Sequence, residues 1–250
     1  MDWGRAKNVL IYAFLLLNLV LGYQLWIDVR EQANANLDFT SLGANTQKMM
    51  KEKNIQLLSL IPNVTPVLPK ITYHYLTGDS TSDPVVLEQP IDSKLVFIGN
   101  ELVKALANQI PQIKDYQFDP TSREDGVFVL HPLVEGKWPL FNDQTKLNLM
   151  YSDQKINSYQ LSLIEINSSN EEEQQKVLPA ADALGTLVDN NYIPPNSVVK
   201  DIKLGYYGEM FNSENQVAAP AWRFTLENGV YYVQGISGDV ISPKTEKVKE

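Results

Sequence analysis

Cysteine is absent from the 250 residues. That removes thiol catalysis, thiolate metal sites, haem attachment, a lipoprotein anchor and any disulfide framework. An exported chain of this kind suits a cell envelope in which oxidative pairing is little used. Histidine is nearly absent as well. His74 and His131 each sit inside a strand-like run without an H-E-x-x-H neighbourhood, so a zinc site would need both imidazoles plus a distant carboxylate. Two sheet histidines are expected, with no metal and no cofactor.

Positive charge is also scarce. The net charge is −9, and Asp2, Arg5 and Lys7 give residues 1–27 a charge of +1, which leaves −10 on residues 28–250. No run of Lys and Arg interrupts that acidic body, so no nucleic-acid partner is expected. The motifs G-x-S-x-G, G-x-x-x-x-G-K-[ST] and G-x-G-x-x-G are all missing. An S-x-x-K string does occur twice, at Ser152 and Lys155 and at Ser197 and Lys200. Serine–lysine enzymes need both side chains on one helix face, whereas the first pair falls at a hairpin turn and the second enters a strand. A non-enzymatic protein is therefore expected. The alternative is a membrane-anchored envelope enzyme of the serine/lysine type, acting on cell wall.

What the chain does contain is an ordinary globular balance, 44% hydrophobic and 20% charged, behind one long apolar run. From Val9 to Ile27 it reads VLIYAFLLLNLVLGYQLWI; as a helix these residues reach about 29 Å, the thickness of a hydrocarbon core of about 30 Å. Arg5 and Lys7 precede the run, whereas Arg30 beyond it sits between Asp28 and Glu31, so the positive-inside bias keeps the N-terminus cytoplasmic. The expected organisation is a cytoplasmic tail over 1–8, a transmembrane helix over 9–27 and a juxtamembrane helix and linker over 28–69. Two extracytoplasmic subdomains follow, over 70–150 and 151–250. Ala33-Asn34-Ala35 offers a competing signal-peptide cleavage site, which would release a secreted inhibitor or ligand-binding domain. Within the span, Ile11, Leu15, Asn18, Gly22 and Leu25 share one stripe; a second helix that approaches at Gly22 can share a hydrogen bond with Asn18.

The exterior reads as short strands and a few helices without regular βαβ alternation, hence α+β with helices packed on antiparallel sheets. A juxtamembrane helix is expected from about Thr46 to Leu60, and helices from Glu101 to Gln109 behind Asn100 and from Pro179 to Asn190. Strands are expected at Ile71–Leu76, Lys94–Ile98, Gly126–Leu133, Trp138–Phe141, Lys146–Tyr151, Lys155–Ile166, Val198–Tyr207, Ala221–Glu227, Val230–Gln234 and Asp239–Ile241, with Asn228-Gly229 as a hairpin turn. Glu171–Glu173 reads as a solvated connector. Two stretches repeat the order helix, strand, strand, tight turn, strand, and their turn glycines, Gly136 and Gly229, lie 93 residues apart; the subdomains are therefore read as related. Aromatics concentrate near the end. Tyr206, Tyr207, Trp222 and Tyr231 either fill a core or leave an exterior partner-binding surface.

The opening MDWGRAKNVLIYAFLLLNLVLGYQLW, joined to a cysteine-free α+β exterior ending in PAWRFTLENGVYYVQGISGDVI, resembles the YycI (WalI) family. These are single-span accessory proteins of the essential YycG/WalK sensor kinase in low-GC Gram-positive bacteria. The resemblance implies a regulator of a two-component system linked to cell-wall metabolism. It implies partnership, within the cell membrane, with a YycH-like sister protein and a YycG/WalK-type sensor histidine kinase. It carries over no catalytic residue.

Overall fold

The computed structural model describes residues 7–8, 10–24, 41–76, 83–92, 99–122, 125–168, 174–208 and 214–241. In chain order the elements are α1 (residues 10–24), α2 (Ala44–Glu52), β1 (Gln56–Leu57), β2 (Val67–Leu68), β3 (Ile71–Tyr75), β4 (Val85–Asp92), α3 (Gly99–Leu106), β5 (Tyr116–Phe118), β6 (Val127–Val134) and β7 (Trp138–Pro139). They continue with β8 (Leu147–Ser152), β9 (Lys155–Leu161), β10 (Ile164–Ser168), β11 (Gln175–Lys176), α4 (Ala180–Asp189), β12 (Val198–Tyr207), β13 (Asn215–Leu226), β14 (Gly229–Gln234) and β15 (Val240–Ile241). The fold is α+β with mainly antiparallel sheets and few helices.

Helix α1 covers part of the expected span and leaves all of its side chains exposed. Among the described residues no helix is long and apolar enough to cross a membrane. Leu25, Ala33-Asn34-Ala35, Lys94–Ile98 and Glu171–Glu173 lie outside the described residues.

A six-stranded antiparallel sheet runs β4-β9-β8-β6-β5, with β7 added to β6. Alternation along β8 buries Leu147 and Leu149 while Asn148 and Met150 take the opposite face, the period of two that a strand imposes. Leu102 and Leu106 of α3 close the apolar face over Leu130, Leu147, Leu149 and Ile156. Each such leucine contributes about 1.5–3 kcal/mol through burial.

The second sheet has seven strands in the order β1-β12-β13-β14-β15, with β3 on β13 and β10 on β3. Strand β1 is parallel to β12, and the other pairings in this sheet are antiparallel. Helix α4 starts after Pro179, whose ring is preorganised for a helix entry, and buries Ala180, Leu184, Leu187 and Val188 together with Leu57, Trp222 and Phe224. The juxtamembrane helix is shorter than expected. It stops at Glu52, where Asn54 turns with φ 51°, and Leu57 enters β1 as a fully buried residue instead of continuing a helix.

The two sheets do not follow chain order. The expected boundary after residue 150 falls inside the β8–β9 hairpin, whose turn residues Asp153 and Gln154 both have positive φ. Residues 155–161 therefore complete the first sheet, and Ile71–Tyr75 joins the second. The run expected as one strand over Lys155–Ile166 divides into β9 and β10, which belong to different sheets. Strands β3 and β10 pair from Ile71↔Ser168 to Tyr75↔Ile164, and Leu76 N–H donates to the Leu163 carbonyl at 2.9 Å. The first lobe, residues 85–161, is thus inserted between two adjacent strands of the second.

After α3 and after α4 the chain forms a meander, β5-β6-β7 and β12-β13-β14. The second turn uses Glu227 and Asn228, since Leu226 pairs with Gly229; it sits one residue earlier than the expected Asn228-Gly229. The lobes meet where Phe141 N–H donates to the Tyr206 carbonyl at 2.8 Å. Gly205 permits that approach, because a Cβ there would collide with the Pro139 carbonyl and the Phe141 ring.

Candidate functional site

Strand β13 places Trp222, Phe224 and Leu226 on the face that packs against α4, and Ala221, Arg223 and Thr225 on the face toward the first lobe. Both faces are buried. An arginine in such a strand must find partners inside, because a buried unpaired charge is prohibitively costly.

Arg223 finds them in the other lobe. Its Nη1 donates to Asp119 Oδ2 at 2.5 Å and its Nη2 to Asp119 Oδ1 at 3.1 Å. This is the two-pronged geometry that suits a guanidinium to a carboxylate. Asp119 follows β5, where Pro120 and Thr121 fold back so that Thr121 N–H and its hydroxyl both donate to Oδ1, at 3.0 and 2.7 Å. From β6, His131 places Nε2 at 3.0 Å from Asp119 Oδ2. Arg223 is 3% exposed, and Asp119 and His131 are each 6% exposed. The Phe141 ring lies under the guanidinium at 4.4 Å and edge-on to His131, so a cation–π contact closes the cluster. Asp201 adds a looser contact to Arg223 at 3.5 Å.

Burial pushes the Asp119 carboxyl up, but hydrogen bonds from His131 and Arg223, the Arg223 charge and the Thr121 hydroxyl outweigh it and hold the group well below the usual carboxylate range. Burial drives the His131 imidazole down. Asp119 opposes that drive while the Arg223 and Lys146 charges assist it. Asp119 therefore stays ionised and His131 neutral at neutral pH. Burial lowers Arg223, yet Asp119 more than compensates and its pKa rises. Asn142 supplies a second polar tie between the lobes by donating to the Tyr73 hydroxyl at 2.7 Å. Together these groups form a polar latch between the lobes, beside the apolar contact that Val134 and Leu140 of the smaller lobe make with the larger core.

The expected site residues divide. Ile11, Leu15, Asn18 and Gly22 lie on α1, exposed. Tyr206 and Trp222 are fully buried. They cannot form an exterior surface; Trp222 Nε1 donates to the Leu178 carbonyl at 2.9 Å, and burial pushes the Tyr206 hydroxyl up to about 12. Tyr207 is partly buried and stacks on Tyr232 with 4.0 Å between ring centres. Tyr231 is partly buried against the larger core. Of the serine–lysine strings, Ser152 accepts from Asn157 Nδ2 at 2.8 Å, and Lys200 pairs with Glu227 at 2.9 Å. Both histidines lie in strands, His74 in β3 and His131 in β6. Among the described residues no group of three or more His, Asp and Glu is placed to hold a metal ion.

Sequence reasoning missed Asp119 and Arg223 as a pair. One signal was present: Arg223 interrupts the otherwise uncharged run AWRFTL, and a charge inside a strand buried on both faces implies a partner from elsewhere.

A sequence model of the family described as YycI protein matches residues 86–236. No curated protein matches the chain. Among solved structures, an uncharacterized protein from Eubacterium rectale is 13% identical with a TM-score of 0.40, the match covering 73% of this chain and 71% of that one. The C-terminal domain of YpeB from Bacillus megaterium is 14% identical with a TM-score of 0.38, the match covering 62% of this chain and 65% of that one.

Proposed function

Because the chain belongs to the YycI family, a family of regulatory accessory proteins of the YycG/WalK system that is not known for enzymes, we propose that it acts by contact within and just outside the cell membrane. Residues 9–27 anchor it as a single span, residues 1–8 stay in the cytoplasm, and the two related α+β lobes stand outside. The partners are a YycH-like sister protein and the sensor histidine kinase.

Family membership carries this reading. The exposed apolar surface of α1 supports it: Leu10, Phe14 and Leu16 leave 65–74% of their area uncovered, which water disfavours and lipid or a partner helix accepts. The helix face of Ile11, Leu15, Asn18, Gly22 and Leu25 meets the partner helix. Regulation is then a population shift, in which the bound protein favours one kinase arrangement by as much as its affinities for the two arrangements differ.

The test is co-purification in mild detergent. The Asn18→Leu/Gly22→Leu variant should recover less kinase and less sister protein than the unaltered chain, and equal recovery removes the case for that stripe. Topology has its own readout, because the native chain has no cysteine. A single Cys at Asn157 should react with an impermeant thiol reagent in intact cells, and a Cys at Asn8 should not.

A further inference from the structure

Apart from the Asp119 cluster, a cavity of about 480 Å³ opens at the neck between the lobes, within the roughly 300–1,000 Å³ range of small-molecule sites. Tyr75 at the end of β3 contributes from the larger lobe; Asp143, Lys146, Asn148, Gln160 and Ser162 contribute from the smaller one and its exit segment. Seven of the eight lining side chains carry a polar group, so a hydrophobic ligand gains little there. An anion gains little either. The cavity's cation, Lys146, is paired with Asp143 at 2.8 Å, so the wall has no net charge, and the chain around it is acidic.

The chemistry left is that of amides and hydroxyls. Asn148 and Gln160 stand directly opposite in the β8–β9 ladder, which puts both side chains on one face at neighbouring positions. Asn148 Oδ1 is buried with no hydrogen-bond partner in the protein, an acceptor that a bound donor would satisfy. The Tyr75 ring adds an apolar surface beside these groups, and the Tyr75 and Ser162 hydroxyls can donate or accept. A hydroxyl-rich ring has matching features: O–H groups that donate and accept at once, and an apolar C–H face.

We propose that this cavity binds a neutral saccharide, with Asn148 and Gln160 as its principal hydrogen-bonding side chains. A ligand seated there touches both lobes and favours the arrangement in which they are closed on each other. The proposal stands independently of the kinase partnership, since it concerns the protein alone.

Isothermal titration of the full-length protein in nanodiscs tests it, with N,N′-diacetylchitobiose and maltose as separate probes. Saturable binding of at least one sugar is expected, weakened about tenfold, or 1.4 kcal/mol, in Gln160→Ala and in Asn148→Ala. Gln160→Ala is the deciding variant because Gln160 is only partly buried and its loss leaves the strand pairing intact, as an unchanged melting temperature would verify. No saturable heat from either sugar, or unchanged affinity in Gln160→Ala, would overturn the proposal.

Discussion

The two lobes are built from similar parts, a helix followed by a three-stranded meander, but they bury them differently. In the larger lobe, β13 is covered on both faces, by α4 on one side and by the smaller lobe on the other, and its buried run from Pro220 to Leu226 is continuous. In the smaller lobe, β8 alternates between core and seam or solvent, β9 buries only Ile156 and Leu161 fully, and one short helix, α3, closes the apolar side. A lobe with a single apolar face depends on its neighbour for order. Here the dependence runs through polar groups as well as through Val134 and Leu140, since Asp119, His131 and Asn142 all project from the smaller lobe toward the larger.

The severest way to break that relation is at the ion pair. Arg223→Met should cost about 3–5 kcal/mol, because it leaves the Asp119 charge buried without compensation. Thermal melting in detergent would record the loss. Asp119→Leu/Arg223→Met should recover most of it, as paired apolar replacement of a buried ion pair is often near neutral. A double variant as unstable as the single one would show that the seam is held by packing alone.

Next in size, Leu106→Ala should cost about 2–5 kcal/mol by leaving a cavity under α3. Hydrogen exchange would show where that loss falls. Faster exchange in β8 and β9 with β13 still protected is expected of two separate cores, whereas uniform acceleration would mean that the lobes open together.

Acid sharpens the comparison further. His131 has a folded pKa below its ordinary 6.5, so the fold favours the neutral ring; the stability it contributes is complete above that ordinary value and is lost as pH falls toward the folded one. Asp119 is depressed as well, and its contribution fades in turn below its ordinary 3.8. The melting temperature should therefore fall in two stages on acidification, with His131→Gln abolishing the upper stage. The smallest effect belongs to Lys200→Gln in β12, beside the β13–β14 turn. Its pair with Glu227 is part-exposed and should change stability by about 0–1 kcal/mol.

Local features of the sequence were legible wherever local physics decides. Pro179 marks the start of α4, the strand patterns at Ile71, Val127 and Val198 lie within a residue of the observed strands, and both meander turns fall at or beside the expected glycines. Tertiary pairing was not legible. Nothing near residue 150 announces that β9 returns to the first sheet, because an antiparallel ladder reports its partner by register, which a single strand does not carry. The latch was hidden for the same reason. Its two ends lie 104 residues apart, and Asp119-Pro120-Thr121 alone reads as an ordinary turn. The terminal aromatics were readable as a group but not in their direction: Tyr206 and Trp222 point inward because β12 and β13 are the central strands of a sheet covered on both sides.

The pairing of β3 with β10 makes the smaller lobe a detachable bulb on a two-stranded stem. Tyr75 and Ile164 already face each other, so a two-residue turn between them would shorten the stem into a plain hairpin and leave the seven-stranded sheet uninterrupted. The socket would then need mending: Arg223 would take an uncharged successor once its counterion had gone with the bulb, and the β13 face that lost Val134 and Leu140 would need a polar surface.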